Sequence, residues 1–175
     1  MTDSTSTPQI VRTDAAAIQI YYNLGALQMN VDSISHEESV RIPGGAGNCL
    51  NWIVGHLVRT RGTILGLVGD RESYAEAVDA AVYGRGTSMP ADDPEGTAMP
   101  FDHLVELFAA AQPRLLAGFA ALSDEQLLEP APFSPRGSDN ETLGSLLAGL
   151  SFHEAYHVGQ TGLLRRQLGY AGRIA

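Results

Sequence analysis

Ser151-Phe152-His153-Glu154-Ala155-Tyr156-His157-Val158-Gly159-Gln160 lies within a Leu-rich segment running from about Thr142 to Leu168. At about 100° per residue, His157 falls roughly 40° from His153, and Gln160 roughly 20° to its other side. Leu146, Leu150 and Leu164 share that face, so both imidazoles sit in the stripe expected to meet a core. Burying two imidazoles demands partners, and rings at i and i+4 can point at one ion. An earlier apolar segment carries a further histidine, His56, on the stripe Cys49, Trp52, His56, Thr60, Thr63. Three neutral imidazoles from two helices would make an open site for zinc or a similar divalent ion, keeping a position for water or substrate. Plain core histidines and a closed structural metal site are the alternatives. Cys49, about two turns from His56, is a distant candidate for a fourth ligand.

His153-Glu154-Ala155-Tyr156-His157 is also literally H-E-x-x-H, the zinc-protease motif. Those enzymes need a third ligand, commonly downstream, but the 18 residues after His157 contain no His, Asp or Glu. The longer metzincin pattern wants Gly and His where Gln160 and Leu163 stand. The protease reading is therefore set aside. Glu154 and Gln160 stay weak catalytic candidates: Glu154 as a general base or a solvent-facing residue, Gln160 as a hydrogen-bonding neighbour of the site or a capped amide. Tyr156 reads as packing, and His36 and His103 as solvated residues.

Working outward, the chain of 175 residues is 44% hydrophobic, enough for one domain with its own core. Met1 to Gln9 reads as a polar tail, and 10–175 as a single domain. A first segment, Asp14 to Ile34, has two apolar stripes: Ile18, Tyr22, Gly25, Met29, and nearly opposite Ile20, Leu24, Leu27, Val31. A helix apolar on two sides is either deeply buried or carries a subunit interface. Asp14 is placed as its N-cap. After Pro43-Gly44-Gly45 a second helix opens at Asn48 and runs to about Asp70. Arg71 to Tyr83 holds a short extra helix. Gly84 to Pro100 is a long loop, read as a surface connection or a lid. A third helix, Asp102 to Leu122, contains Pro113 and should kink or split there. Ser123-Asp124-Glu125-Gln126 matches a capping box, as does Ser138 to Glu141 before the fourth helix. Four long helical segments without a strand pattern predict an all-α four-helix bundle with long crossovers.

Charge and composition narrow the function classes. Net charge is -9 and all 11 cations are arginine. Neither a nucleic-acid partner nor an anionic membrane surface fits that field. The lone Cys49 excludes a disulfide framework and fits a reducing, cytoplasmic setting. The apolar run through the second helix is interrupted by Arg59 and Arg61 before it reaches the length of a membrane span.

Asn51-Trp52-Ile53-Val54-Gly55-His56-Leu57, with the downstream His153-x-x-x-His157-x-Gly159-Gln160, resembles the DinB-like superfamily over about Asp14 to Leu168. The resemblance implies a four-helix bundle in an up-down-down-up arrangement. It implies a metal site on His56, His153 and His157; three imidazoles suit zinc or nickel, the expected ions. The family includes thiol transferases using bacillithiol or mycothiol, a maleylpyruvate isomerase and members of unknown activity. The expectation is thus a metal-dependent enzyme activating a thiol or water for transfer or hydrolysis of a small-molecule substrate. The alternative is a non-catalytic metal- or small-molecule-binding stress or sensor protein. The two-sided first helix and the resemblance together favour a homodimer. Few arginines fall on the predicted site face, Arg59 lying nearest, which counts against an anionic thiol.

Overall fold

A computed structural model describes residues 14–70 and 75–174. The Met1 to Gln9 tail, the start of the domain at 10–13 and the first residues of the Arg71 to Tyr83 segment lie outside them. The described residues form eight helices and no strand: α1 Asp14–Val31, α2 His36–Ser39, α3 Leu50–Leu67, α4 Ala80–Tyr83, α5 Phe101–Ala110, α6 Gln112–Ala121, α7 Asp124–Leu128 and α8 Leu143–Gln167. A 3-10 turn, Ala75–Ala77, precedes α4. An isolated bridge joins Pro130 and Thr142. The long elements are α1, α3, the α5–α6 pair and α8.

Local chemistry sets the boundaries. Ser33, at a φ of 65°, ends the α1 segment three residues earlier than the apolar pattern suggests. The Cys49 thiol caps α3 by accepting from Trp52 N–H. Pro113 divides the third helix as expected: with no N–H to give, it sits in the first turn of a new helix after Ala111. The Phe101–Ala121 run is long and apolar enough to cross a membrane by length and composition alone. Leu104, Phe108, Ala111, Leu115 and Phe119 instead point into the protein core. The Ser123 capping box forms as predicted. The Ser138–Glu141 match does not cap α8. Thr142 does, with Ser145 reaching back to its N–H, and Glu141 accepts hydroxyl hydrogen bonds from Ser134 and Ser145. A serine at the third position escapes a search for S/T-x-x-E/Q, although its hydroxyl satisfies the same orphan N–H.

Two apolar clusters fill the interior. One gathers around Trp52, Leu57, Val58, Tyr83 and Phe108. The other packs Ile20, Ile64, Leu65, Leu115, Phe119 and Leu147. Of the two α1 stripes, Ile20, Leu27 and Val31 are buried, whereas Ile18, Tyr22 and Met29 are exposed. A deeply buried α1 is thereby excluded.

Gly84 to Pro100 is strapped down. Met89 is buried with its sulfur 3.6 Å from Cys49 Sγ. The Asp93 carboxylate accepts from the N–H groups of Thr97 and Ala98. Asn51 donates to Met99 O, and Met99 N–H donates to the Tyr83 hydroxyl, which itself donates to Asn51 Oδ1. These bonds satisfy buried polar groups that an irregular segment would otherwise leave unpaired.

Candidate metal centre

Between α3 and α8 lies a buried charged clamp. Arg61 and Glu154 are both fully buried and meet in a bidentate pair, Nε–Oε2 2.8 Å and Nη2–Oε1 2.9 Å. Arg61 Nη1 also donates to Phe108 O at 2.7 Å, and its guanidinium lies 3.4 Å from the Phe108 ring centre. Nη2 reaches Ile20 O, and the Asn23 amide donates to Glu154 Oε1. The pair therefore ties α1, α3, α5 and α8 together with its donors and acceptors engaged. Glu154 is not solvent-facing, which corrects that reading of it: its carboxylate is buried and bonded to Arg61 and Asn23. The signal existed in the sequence. Arg61 shares a helical face with Leu57, Val58, Ile64 and Leu65, and Glu154 shares one with Leu147, Ser151 and Val158. A cation and an anion on two core faces ask for each other.

Fixing Arg61 against Glu154 also fixes the register of α3 on α8. One turn and a half earlier on α3, His56 then stands across from His153 and His157. His56 Nε2 lies 3.3 Å from His153 Nε2, and His157 Nε2 lies 3.1 Å from it. All three potential ligand atoms fall within 4.8 Å of one another, and each ring is half-buried. No Asp, Glu or Cys joins them among the described residues. Cys49 is buried against Met89, away from the cluster.

Hydrogen bonding sets the tautomers. His56 Nδ1 is 2.9 Å from the Tyr83 carbonyl, which only accepts, so the proton sits on Nδ1 and Nε2 presents a lone pair. His157 Nδ1 is 2.7 Å from Gln160 Oε1, with the same consequence. His153 Nδ1 is buried and has no partner. Two lone pairs thus converge on His153 Nε2, where a single proton can satisfy only one of them. A cation satisfies all three. Two imidazole ligands at about 2.0–2.1 Å from a tetrahedral zinc stand ~3.4 Å apart, close to the two separations seen here. The donor set fits a divalent ion.

The electrostatics agree. Burial pushes the His56, His153 and His157 rings below the usual imidazole range, His153 to about 4. Neighbouring imidazoles add to this at His153 and His157, and so do Arg59 at His56 and Arg85 at His153, whereas the Tyr83 carbonyl raises His56 and Gln160 raises His157. Neutral imidazole is the ligating form. Because each shift is downward, the unfolded chain takes up protons first as pH falls. Stability is full above the ordinary value of about 6.5 and is lost as pH drops towards 4. The melting temperature of metal-free protein is expected to fall between pH 7 and pH 5, and His153→Phe should flatten the profile. An equally steep profile in that variant would count against the assignment.

The walls come from pieces with no helical periodicity of their own. Trp52 stacks on His56, ring centres 4.8 Å apart and 9° from parallel. Its indole N–H is held by Val82 O and Thr87 Oγ1. Gly84–Thr87 closes a tight turn with Gly86 at a φ of 83°, and Arg85 lies on it, near enough for its charge to act on His153. The site thus gains an arginine that the helix-face pattern could not show. Arg59 donates to Val78 O. Gly55 is required: a Cβ there would collide with the Tyr83 ring. Gly55→Ala should displace Tyr83 and cost about 1–3 kcal/mol, read as a fall of roughly 2–12 °C in a thermal melt. An unchanged melt would show that Tyr83 does not depend on that contact.

Other predicted residues fall elsewhere. His36 is exposed, and His103 is half-exposed, 3.7 Å from Glu106. Tyr156 is exposed rather than packed, its ring meeting only the edge of His157 and not the core. A groove between the end of α1 and the start of α5, lined by Val31, Ile34, Phe101 and Val105, contains none of the three histidines.

A sequence model of the DinB superfamily matches residues 19–161, which include all three histidines. The chain belongs to the DinB superfamily. No curated protein sequence matches it. This DinB chain keeps His56, His153 and His157 at one place in an all-helical fold, as the family resemblance implies.

Proposed function

We propose that this DinB protein is a metal-dependent enzyme in which His56, His153 and His157 hold one divalent ion, zinc or nickel. The observation that carries this reading is the convergence of three Nε2 atoms, two with lone pairs fixed by Tyr83 and Gln160. When bound, the ion lowers the pKa of a coordinated thiol or water and polarises an oxygen substrate. Tyr83 and Gln160 orient their rings by accepting from Nδ1, a role whose loss typically costs 10–100-fold in metal affinity. Trp52 supplies a flat wall beside His56 and excludes water from that side. Arg85 brings positive charge to the edge of the site, suited to an anionic small molecule.

With Glu154 withdrawn into its pair with Arg61, no carboxylate joins the site among the described residues. A thiol, which loses its proton on coordination, fits this setting better than a mechanism needing a general base. The proposed substrates are accordingly a low-molecular-weight thiol and an acceptor, in transfer or hydrolysis, within a reducing cytoplasm. The bundle is read as up-down-down-up. Contacts of Asn23 with Glu154 and of Asn30 with Thr161 rise together along α1 and α8. Contacts of His56 with His157 and of Arg61 with Glu154 run oppositely along α3 and α8.

The test is tag-free protein, assayed for bound zinc and nickel, then screened for thiol transfer and hydrolysis in the loaded state. About one equivalent of metal and a metal-dependent turnover are expected. Failure to retain metal after incubation with divalent ions overturns the site. Metal retention with ligand binding but no turnover favours the non-catalytic sensor reading.

A further inference from the structure

A second concave site lies where α1 ends at Val31, the chain turns through Ser33, and α5 opens after Pro100. Its floor is apolar. Val31, Ile34 and Phe101 are buried members of the larger core cluster, and Val105 packs half-buried against it. A floor drawn from a close-packed core keeps its shape without a ligand. The groove measures about 550 Å³. Small-molecule sites span roughly 300–1,000 Å³ and set a few placed polar groups against apolar walls.

The rim carries one sign of charge. Asp32 follows the end of α1, Asp102 and Glu106 lie on α5, and no arginine lines the groove. The fold leaves these acids largely unengaged. Asp32 meets Arg173 at 2.6 Å, but both side chains are 51% exposed, and exposed pairs contribute little. Asp102 accepts from the N–H of His103 through one oxygen. Among the described residues Glu106 has only the His103 ring, at 3.7 Å. Asp102 and Glu106 stand one turn apart on one face of α5, where like charges cost a helix about 0.2–0.5 kcal/mol. The buried acids Glu141 and Glu154, by contrast, are met by donors from the fold.

Floor and rim together select one class of occupant. Three acids on a chain of net charge -9 repel an anion. A bare metal ion finds no converging ligands here, since the metal-ligating cluster among the described residues is that of the three histidines. A neutral apolar molecule would use the floor and not the field. An organic cation uses both.

We infer that this groove binds a small organic ammonium ion, its apolar body on Val31, Ile34, Phe101 and Val105 and its charged head among Asp32, Asp102 and Glu106. The site is separate from the metal centre and does not depend on it.

Phenethylamine is the probe, with phenethyl alcohol and phenylacetate as its neutral and anionic counterparts. Each is titrated into full-length, metal-free protein at about pH 7.5, where an alkylamine is charged, and followed by calorimetry and methyl-resolved NMR. The amine is expected to bind with a dissociation constant of about 1 mM or below, shifting the methyl signals of Val31, Ile34 and Val105. The alcohol and the acid should bind at least several-fold more weakly, and about 0.5 M salt should narrow the gap. Asp102→Asn with Glu106→Gln changes only exposed side chains. It should weaken amine binding by roughly 3–10-fold, with alcohol binding and circular dichroism unchanged. Val105→Lys, which brings a tethered ammonium to the floor, should block the amine outright. The inference is overturned if the amine fails to bind at about 10 mM, or if the alcohol or acid binds as tightly. Affinity unmoved by the double variant, or shifts confined to Trp52 and the three histidines, would overturn it equally.

Discussion

Glu154→Gln is expected to unfold the protein partly or wholly rather than yield a folded but inactive enzyme. Removing one partner of a fully buried ion pair costs about 3–5 kcal/mol, because the remaining charge stays desolvated. That is a large part of the 5–15 kcal/mol by which a domain is stable. Arg61 suffers most, since Glu154 occupies both its Nε and one Nη2 hydrogen. At this chain length the loss corresponds to a drop of roughly 6–20 °C in melting temperature. Arg61→Met should cost at least as much, stranding the carboxylate between α1 and α8. The double variant Arg61→Met, Glu154→Leu should recover most of the stability, since an apolar pair of similar volume needs no compensation. Differential scanning calorimetry on the three variants gives the answer. A Glu154→Gln protein with wild-type stability but no turnover would restore Glu154 as a catalytic group.

His153→Ala is expected to have the opposite signature: a stable fold without metal. His153 Nε2 is the atom on which the other two imidazoles converge, at 3.3 and 3.1 Å. Its removal leaves two donors from different helices, and affinity should fall by more than the 10–100-fold typical of losing a mere supporting hydrogen bond. The fold should hold, because the buried Nδ1 makes no hydrogen bond to lose, and deleting the ring removes a desolvated polar group. Metal content by plasma emission spectroscopy, with melts of metal-free wild type and variant, separates the effects. Unchanged metal content in His153→Ala would place the ion elsewhere. Gln160→Ala should show an intermediate loss, acting through His157 alone.

Much of this was legible in advance because periodicity is local. Helix positions, the break at Pro113 and the common face of His153 and His157 follow from spacing along one segment. The same reasoning failed where local patterns were ambiguous. Ser138–Glu141 has capping-box letters, but Thr142 and Ser145 have the geometry. The H-E-x-x-H letters put Glu154 beside a metal ligand, yet a 100° step turns it from the site into the core. Tyr83 and Arg85 carried no signal, since neither lies on a long periodic element.

The sequence by itself determined an all-helical chain, its DinB kinship and the three histidines, because these depend on residue type and on spacing within each helix. Only the tertiary structure decided that Glu154 belongs to Arg61, that Tyr83 and Gln160 set the imidazole tautomers, and that one α1 stripe is left bare. Those facts depend on which residues of different helices face one another. The buried ion pair Arg61–Glu154 fixes that register across the bundle, and with it the place where His56 meets His153 and His157.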